Sequence, residues 1–350
     1  MTRVVPGSSR RRRVTVIVAA VGIVTLASLA GLLVGPVSLD ASGVMHELFG
    51  WLPLVSGDGL DDRQATILWQ LRAPRVALAC VVGACLAVSG AAYQGAFRNP
   101  LADPYLLGAA AGAGLGATIA LVAGTGGSLI AGTPLLPIAS FVGALVGVGI
   151  AYAVGGAMGG RSTTTGLVLA GVAVASFLTA VQTFVQQQNS ETLREVYTWI
   201  LGRLATAGWG DVVLILPYAV LSVVVLLLHG RVLDAMGLGD DEAGSLGLRP
   251  SRVRLAVIVA ASLATAAAVA VAGLIGFVGI VVPHAVRLVV GASNRWIVPL
   301  SALCGAAFLV LADLAARTVV APGELPIGVV TATIGAPFFA LLLRRAGRIT

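Results

Sequence analysis

Long apolar runs recur along this chain, and they limit its possible folds more than any other feature of the sequence. A helix needs about 20 consecutive apolar residues to cross the hydrocarbon core of a membrane. Ten runs approach that length, and they lack the alternation of apolar and polar residues that marks barrel strands. In chain order the runs cover 14–35, 76–95, 104–123, 134–157, 165–187, 211–229, 255–275, 277–292, 297–314 and 325–343.

The composition points the same way, because 58% of the residues are hydrophobic and 11% are charged, whereas a soluble domain carries about a quarter of charged residues. The sequence therefore predicts an all-α polytopic membrane protein with about ten transmembrane helices. They form a single membrane domain at 14–345, between tails at 1–13 and 346–350. The division between the seventh and eighth runs is open, because GLIGFVG at 273–279 separates them without a polar loop. A re-entrant or broken helix is the alternative there.

All 22 basic residues are arginine, since the sequence contains no lysine. Most of them fall on one side of the membrane if the chain crosses it an even number of times. Because cytoplasmic loops are enriched in basic residues, the tails at 1–13 and 346–350 are both predicted to be cytoplasmic. The apolar run after Arg10–Arg13 is too long for the core of a cleaved signal peptide, so it is interpreted as the first spanning helix.

The absence of lysine excludes two kinds of chemistry. A phosphate-binding loop of the GxxxxGK[ST] type and a Schiff-base lysine both require the ε-amine. No Ser/His/Asp order, carboxylate pair or metal-ligand spacing occurs, and Cys80, Cys85 and Cys304 lie in apolar runs. We therefore expect no catalytic residue, no metal site, no cofactor and no nucleic-acid partner.

Two features within the predicted spans resemble functional motifs. GAGLGA at 112–117 matches a dinucleotide-binding pattern, but no strand precedes it, so we interpret it as helix packing through small residues. His284 and Asp313 are ionisable residues inside spans, which indicates a functional role by default. Because Asp313 lies near a helix end, away from the midplane where a proton relay needs an acid, structural pairing is predicted for both.

Four stretches outside the runs carry distinct patterns. Residues 36–75 form the longest external segment and are acidic. FRNPLADPY at 97–105 contains Asn-Pro and Asp-Pro steps that predict a tight turn, with a contact role as the alternative. SETLREVYTWILGR at 190–203 predicts an amphipathic helix at the outer surface. The internal loop at 231–254 contains DDEAGSLGL, whose leading acids suit the start of a short helix packed on a partner.

Five long motifs occur in one order along the chain: LRAPRV at 71–76, SGAAYQGAFRNPLADPYLLG at 89–108, DEAGSLGL at 241–248, GLIGFVGIVVPHAVRLVVG at 273–291 and ELPIGVVTATIGAPFFALLLRR at 324–345. They resemble the FecCD-type permeases, the membrane subunits of ABC importers for iron-siderophores, haem and cobalamin. The resemblance extends from about residue 20 to residue 345. The chain departs from the family in its longer basic N-terminus, its lack of lysine, and Arg203, where the family often has a small residue.

The resemblance implies the type II ABC importer permease fold, with ten helices per subunit. It implies a second permease subunit, identical or homologous, with the translocation pathway at the interface of the two. Cytoplasmic ABC ATPase subunits and an extracytoplasmic substrate-binding protein complete such an importer in the bacterial inner membrane. Its cargo is an iron-siderophore or a related metal chelate, and the motifs do not distinguish among these. An ion-coupled secondary transporter is the alternative function, although the sequence lacks the midplane carboxylates that it needs.

The resemblance also assigns residues to two contact sites. Arg72, Arg75 and Arg317 match family arginines that pair with glutamates of the binding protein, and the alternative is that they anchor to lipid headgroups or to acids such as Asp313. The segment that docks in a groove of the ATPase is the coupling helix, which comprises Asp241, Glu242, Ala243, Gly244, Ser245, Leu246, Gly247 and Leu248.

A pathway site is predicted from the residues themselves. TAVQTFVQQQNS at 179–190 turns from apolar to glutamine-rich, which suits a water-filled vestibule better than lipid. Gln182, Gln186 and Gln187 are therefore candidate pathway residues, and the alternative is polar packing within the core.

Overall fold

A computed structural model of the chain describes residues 10–51, 59–124, 129–130, 133–157 and 164–346. Residues 1–9 of the predicted basic tail and 347–350 of the predicted C-terminal tail lie outside the described residues. The described part is helical apart from turns and a short antiparallel hairpin of β1 (Leu129–Ile130) and β2 (Thr133–Pro134).

Fourteen α-helices make up the described part: α1 Arg10–Leu33, α2 Ala41–Phe49, α3 Asp62–Thr66, α4 Ala73–Phe97, α5 Ala109–Val122, α6 Leu135–Ala157, α7 Thr164–Gln188, α8 Leu193–Ile200, α9 Trp209–Met236, α10 Asp240–Ser245, α11 Pro250–Ala272, α12 Val278–Val290, α13 Asn294–Thr318 and α14 Ile327–Ala346. Each of the ten predicted runs corresponds to one long helix, which confirms the all-α polytopic fold. By length and composition, seven helices within the described residues can cross a membrane, whereas α5, α12 and α14 are shorter apolar helices.

The helix that contains α4 starts earlier than the sequence predicted. A π-helical turn at Ile67–Arg72 joins α3 to α4, so the chain is continuously helical from Asp62 to Phe97. Proline removes one backbone donor and crowds the carbonyl four residues before it. The wider π turn directly precedes Pro74 and accommodates this crowding. The part of the predicted external segment from 62 to 75 is therefore helical.

The open division between the seventh and eighth runs is a break in the backbone helix. Helix α11 ends at Ala272 and α12 begins at Val278, with Phe277 in a left-handed conformation at φ 68°. The Tyr105 hydroxyl donates to the carbonyl of Ile275 at 3.1 Å, and the Ile275 N–H donates to that hydroxyl at 3.2 Å. The side chain thus supplies partners that the missing helical turn would have provided. At 13 residues, α12 is about 20 Å long, which supports the broken-helix alternative.

Small residues bring α5 and α6 into backbone contact. Gly112 packs against the carbonyl of Gly143, and Gly116 packs against the carbonyl of Ala139, so that a methyl at either position would overlap those oxygens. Such close approach is how helices associate where lipid offers no hydrophobic gain. The interpretation of 112–117 as a packing motif is confirmed.

Helices α4 and α11 form the centre of the bundle. In their most apolar windows 78% of the residues are buried, compared with 17% for α1 at the periphery. Helix α4 packs against α9, α11, α12 and α13, and α13 also packs against α1. We call the end of the bundle with the start of α4 and the end of α13 the arginine end. The opposite end, which includes α10, is the coupling end.

Candidate functional sites at the two ends of the bundle

Arg75 links three separate parts of the chain at the arginine end. Its Nε donates to both Asp313 oxygens at 2.9 and 3.0 Å, and its Nη2 donates to Asp313 Oδ1 at 2.8 Å. Its Nη1 and Nη2 donate to the two oxygens of Glu324 at 3.0 Å each. Two edges of the planar guanidinium are therefore used, one for each carboxylate, and such bidentate pairs are the strongest that arginine makes with carboxylates. They hold α4 against α13 and against the loop that enters α14.

Arg72 and Arg317 fasten the end of α1. Arg72 donates to the carbonyls of Leu32 and Leu33 at 2.7 Å each and also to that of Val37. Arg317 donates to the carbonyl of Gly31 at 2.6 Å. The last carbonyls of a helix lack intrahelical donors, and the negative end of the helix dipole attracts cations. These two side chains therefore cap a peripheral helix that has few other buried contacts.

The three arginines are largely buried, although the docking role implied by the family resemblance requires access from outside. The exposed fractions are 5% for Arg72, 9% for Arg75 and 2% for Arg317. An unpaired buried charge is costly, so each side chain is taken up by internal acceptors. Arg75 contacts Asp313 directly, and Arg317 Nε lies 3.6 Å from Asp313 Oδ2, as the alternative of anchoring to nearby acids predicts. Asp313 is thus structurally paired, as predicted.

Glu324 is the residue of this cluster that the sequence analysis missed. Its side chain is 33% exposed, whereas that of Asp313 is 2% exposed. It therefore marks where the buried cluster reaches the surface. The sequence shows Glu324 only as an acid at the start of the ELPIG motif. Its partner Arg75 is 249 positions away, so no local pattern could identify the pair.

A cavity of about 200 Å³ opens beside this cluster. Arg75, Asp313 and Glu324 form one wall, and residues from Thr198 to Ala205 form the other. Thr198 of this wall belongs to α8, which lies within the amphipathic stretch predicted at 190–203, and the rest of the wall is the loop directly after α8. Val196 and Trp199 of α8 are buried. The cavity thus lies between a charged anchor and an amphipathic helix.

The stretch after α8 is joined to two long helices. The Gly328 N–H donates to the Leu201 carbonyl at 3.0 Å, and the Arg203 N–H donates to the Ala272 carbonyl at 2.9 Å. Gly202 has φ 93°, a conformation that a side chain rarely adopts, and Ile327 leaves no room for a methyl there. A movement of α8 would consequently displace the start of α14 and the end of α11.

The segment predicted as the coupling helix, 241–248, is helical only in its first part, since α10 spans Asp240–Ser245 and the last three residues of the segment follow the helix. Ala243 is fully buried under the helix, whereas Leu246 is 64% exposed. A methyl at Gly244 or Gly247 would meet no atom within 4 Å. The face of α10 that includes Gly244 is therefore open, and the exposed Leu246 lies directly after the helix. This arrangement suits the groove of a partner protein. The internal loop before and after α10, 231–254, contributes the ends of α9 and α11.

The turn at 97–105 is held by its own side chains. Asn99 Oδ1 accepts a hydrogen bond from the Leu101 N–H at 2.9 Å, and Asp103 Oδ1 accepts one from the Tyr105 N–H at 2.7 Å. These contacts confirm a tight turn. Burial raises the pKa of the Asp103 carboxyl to about 6, and the hydrogen bond from Tyr105 opposes that rise.

The three candidate pathway glutamines do not share one environment. Gln182 is 8% exposed and lies against Gly114 of α5. Gln186 Nε2 donates to Thr118 Oγ1 of the same helix at 3.5 Å. Gln187 is exposed. Gln182 has the buried position that the packing alternative predicts, whereas Gln187 has the exposed position that a water-filled surface requires.

His284 does not follow the prediction of structural pairing. Its Nδ1 is buried and has no hydrogen-bond partner among the described residues. Its ring makes an edge contact with Phe338 of α14, with the ring centroids 5.9 Å apart. The histidine therefore packs at the contact of α12 with α14.

Comparison with known proteins places these features in one family. A model of the FecCD transport family matches residues 23–345. An uncharacterized ABC transporter permease protein of Bacillus subtilis is 43% identical over 291 residues, which cover 83% of this chain and 82% of the relative. A cobalamin import system permease protein of Halobacterium salinarum is 42% identical over 286 residues, which cover 82% of this chain and 75% of the relative.

A solved structure has the same fold. It is described as an inward-facing conformation of a metal-chelate type ABC transporter, and it is 28% identical to this chain. The TM-score is 0.82, and the match covers 95% of this chain and 99% of that chain. The arrangement of long helices and short end helices is therefore that of an importer permease.

Proposed function

The chain belongs to the FecCD transport family and is a permease subunit of an ABC importer, and we propose that its cargo is an iron-siderophore or a related metal chelate such as haem or cobalamin. Similar permeases carry names that specify import of cobalamin, iron(3+)-hydroxamate, hemin and Fe(3+)-citrate. These ligands share a coordinated metal within an organic chelate. That shared chemistry supports the cargo class without selecting one member.

The observation that supports an ATPase partner is the open surface of α10 at Gly244. A short helix that exposes Leu246 and leaves free space above Gly244 gains little by itself in water. An exposed apolar knob beside a site without side chains suits the groove of another protein. We assign that partner as a cytoplasmic ABC ATPase subunit. The permease itself has no lysine for a phosphate loop, so ATP hydrolysis belongs to the partner.

The distribution of arginine supports a membrane orientation. At the coupling end Arg231, Arg249, Arg252 and Arg295 are exposed, whereas at the arginine end Arg63 and Arg194 are exposed and Arg72, Arg75 and Arg317 are buried in internal contacts. The positive-inside rule then assigns the coupling end to the cytoplasm of a bacterial cell. Both termini lie on that side in this assignment, and the arginine end faces the exterior.

We assign the translocation pathway to the contact between two permease subunits, identical or homologous. The part of α7 that does not pack within the chain carries polar side chains, including Ser176, Thr183 and Gln187, next to the exposed Phe177 and Phe184. An exposed helix face of mixed polarity is unsuited to lipid alone. It suits a wall that a second subunit completes.

Docking of the external binding protein is assigned to the arginine end around Arg75. Arg72 and Arg317 serve the fold, but Glu324 brings one side of Arg75 close to the surface. A carboxylate of the binding protein could bond to Arg75 only by displacing Glu324. Docking would thereby loosen the loop that leads into α14.

Asp313 is relevant to the alternative of an ion-coupled transporter. Arg75 donates to both oxygens of this carboxylate and Arg317 lies beside it, so its acceptor atoms are occupied within the protein. A transported proton needs an acid that can exchange it. Asp313 therefore does not supply that acid, and no observation favours this second function.

The test of the ATPase contact is a Gly244→Trp variant. We expect the permease to fold normally, because the position is open, while the ATPase subunits no longer copurify and ATP-driven uptake is lost. Gly210→Trp is the matched control, since Gly210 is also helical and open but lies at the arginine end. Copurification and normal uptake with Gly244→Trp would remove the assignment.

The test of the cargo uses vesicles that contain the permease, the ATPase subunits and the binding protein. Labelled ferric hydroxamate, haem and cobalamin are compared for ATP-dependent accumulation. We expect one chelate to accumulate at a concentration that leaves the others excluded. Accumulation of none of them, in vesicles whose ATPase responds to the binding protein, would contradict a metal-chelate cargo.

A further inference from the structure

A buried arginine lies beneath the coupling helix. Arg254, near the start of α11, is 5% exposed. Its Nη2 donates to both oxygens of Asp240 at 3.0 Å, and its Nε donates to the carbonyl of Ala96 at 3.5 Å. Because a buried guanidinium is costly without an anionic partner, the position of Asp240 is tied to α11.

The same carboxylate also contacts the end of the central helix. Arg98 Nη2 lies 3.3 Å from Asp240 Oδ1. Arg98 ends α4 in a left-handed conformation, and its N–H donates to the Gly95 carbonyl at 3.3 Å. Asp240 therefore joins the first residue of α10 to two helices, α4 and α11, which form the centre of the bundle.

The coupling helix is too short to be stable by itself, but its surroundings make it rigid. Gly239 enters it at φ 139°, and a methyl there would overlap the Glu242 carboxylate. At the other end the Leu248 N–H donates to the Ala243 carbonyl at 3.1 Å, and the Gly247 N–H donates to the Gly244 carbonyl at 2.9 Å. These are the bonds of a Schellman motif. The helix consequently moves as one body that is attached through Asp240.

From these contacts we propose that Asp240 is a positioning residue that transmits displacement of the coupling helix to α4 and α11. The proposal rests on the proposed function, because the displacement originates in the ATPase partner. Both Asp240 oxygens accept from Arg254 Nη2, and Oδ1 also lies near Arg98 Nη2, so a displacement of this carboxylate is resisted by charged contacts to two helices. A push on the open surface of α10 thus turns the central helices, whereas without the carboxylate α10 moves and the bundle does not follow.

This role differs from that of the exposed coupling residues. Leu246 and the open position at Gly244 face the partner, while Asp240 faces inward to Arg254. Loss of the outer residues dissociates the ATPase. Loss of Asp240 leaves the ATPase bound and hydrolysing ATP, but less cargo crosses for each ATP.

The experiment uses the complete importer in vesicles with its ATPase subunits and binding protein. The variant is Asp240→Asn, which keeps the shape and removes the charge. The readout is the number of cargo molecules imported per ATP hydrolysed. We expect that ratio to fall by at least about fivefold, the lower limit of typical coupling between sites, while the ATPase subunits still copurify. Asp240→Glu retains the charge and should recover part of the ratio.

Asp62→Asn is the matched control. Asp62 is also the first residue of a short helix, α3, but it is exposed and lies at the arginine end. Its ratio should match that of the unaltered importer. An unchanged ratio of imported cargo to hydrolysed ATP in Asp240→Asn would overturn the proposed positioning role of Asp240. Loss of ATPase association in that variant would also overturn it, because Asp240 would then act in docking. If the unaltered importer shows no ATP-driven uptake, the proposed function fails instead.

Discussion

At the scale of single residues, the arginine end is governed by the cost of burying charge. Arg75 has two carboxylate partners, and the partner that is nearly inaccessible, Asp313, also lies beside Arg317. Removing one member of a buried pair strands its partner, whereas an exposed pair contributes little because water screens it. Loss of the buried Asp313 contact should therefore cost more stability than loss of the partly exposed Glu324 contact.

We predict that Asp313→Asn lowers the free energy of unfolding by about 3–5 kcal/mol, because Arg75 and Arg317 lose their buried counter-charge. Glu324→Gln should cost about 1 kcal/mol or less, since this carboxylate is partly exposed. Reversible unfolding in mixed detergent micelles measures both, with Asp62→Asn as the control. Equal losses for Asp313→Asn and Glu324→Gln would contradict the assignment of the buried contact.

At the scale of elements, the distance between packed helices depends on where glycine replaces a larger residue at their contact. Helices α5 and α6 approach each other through glycine, and the contact of Gly112 with Gly143 is between backbones. Gly149, further along α6, faces open space. Two glycines in one helix therefore have different roles, although the sequence around them is equally apolar.

We predict opposite effects from the same substitution at these two sites of α6. Gly143→Ala should destabilise the protein by about 1–3 kcal/mol, because the new methyl forces the two helices apart. Gly149→Ala should be neutral or stabilise by up to about 1 kcal/mol, since alanine has the higher helix propensity. Thermal unfolding of the two purified variants gives the comparison. A loss of similar size in both would mean that the α5–α6 contact is not close-packed.

At the scale of the whole molecule, an exposed residue of a spanning helix such as α7 can face either water or lipid, and the two cases have to be distinguished. Gln187 and Val220 of α9 are both exposed, but only the first belongs to the face that we assign to the pathway. Gln182 is on the same helix as Gln187 and is buried against α5. The molecule thus provides a wet candidate, a lipid-facing control and a buried control.

We predict that a membrane-impermeant thiol reagent labels Gln187→Cys and spares both Gln182→Cys and Val220→Cys. The variants are made in a background whose three cysteines are replaced by alanine. Gln187→Cys should react because water reaches it, Val220→Cys should not because thiolate forms poorly in lipid, and Gln182→Cys should not because it is buried. Labelling rates in vesicles provide the measurement. Protection of Gln187→Cys to the level of Val220→Cys would count against a pathway along α7.

The positions of the long helices followed from the sequence because a membrane imposes local rules. Each span must satisfy its own backbone hydrogen bonds and must be long enough to cross the hydrocarbon. Hydropathy therefore predicted a helix in each of the ten apolar runs, and the acids at the start of DDEAGSLGL predicted a short helix there, of which the structure forms Asp240–Ser245. The start of α4 was predicted too late, because the sequence does not reveal that a π turn carries the helix through Pro74.

The partners of the charged residues were decided only by the tertiary structure. Arg75 and Asp313 are 238 positions apart, and Arg75 and Glu324 are 249 apart, so no local pattern pairs them. The family resemblance implied that the arginines contact an external protein, whereas the packing of α4 against α13 and α1 buries them and supplies their acceptors. Asp240 likewise reads as one acid in an acidic helix start. It becomes a link between α10 and the central helices because the fold brings Arg254 and Arg98 to the same carboxylate, and a buried charge is retained only where packing provides its counter-charge.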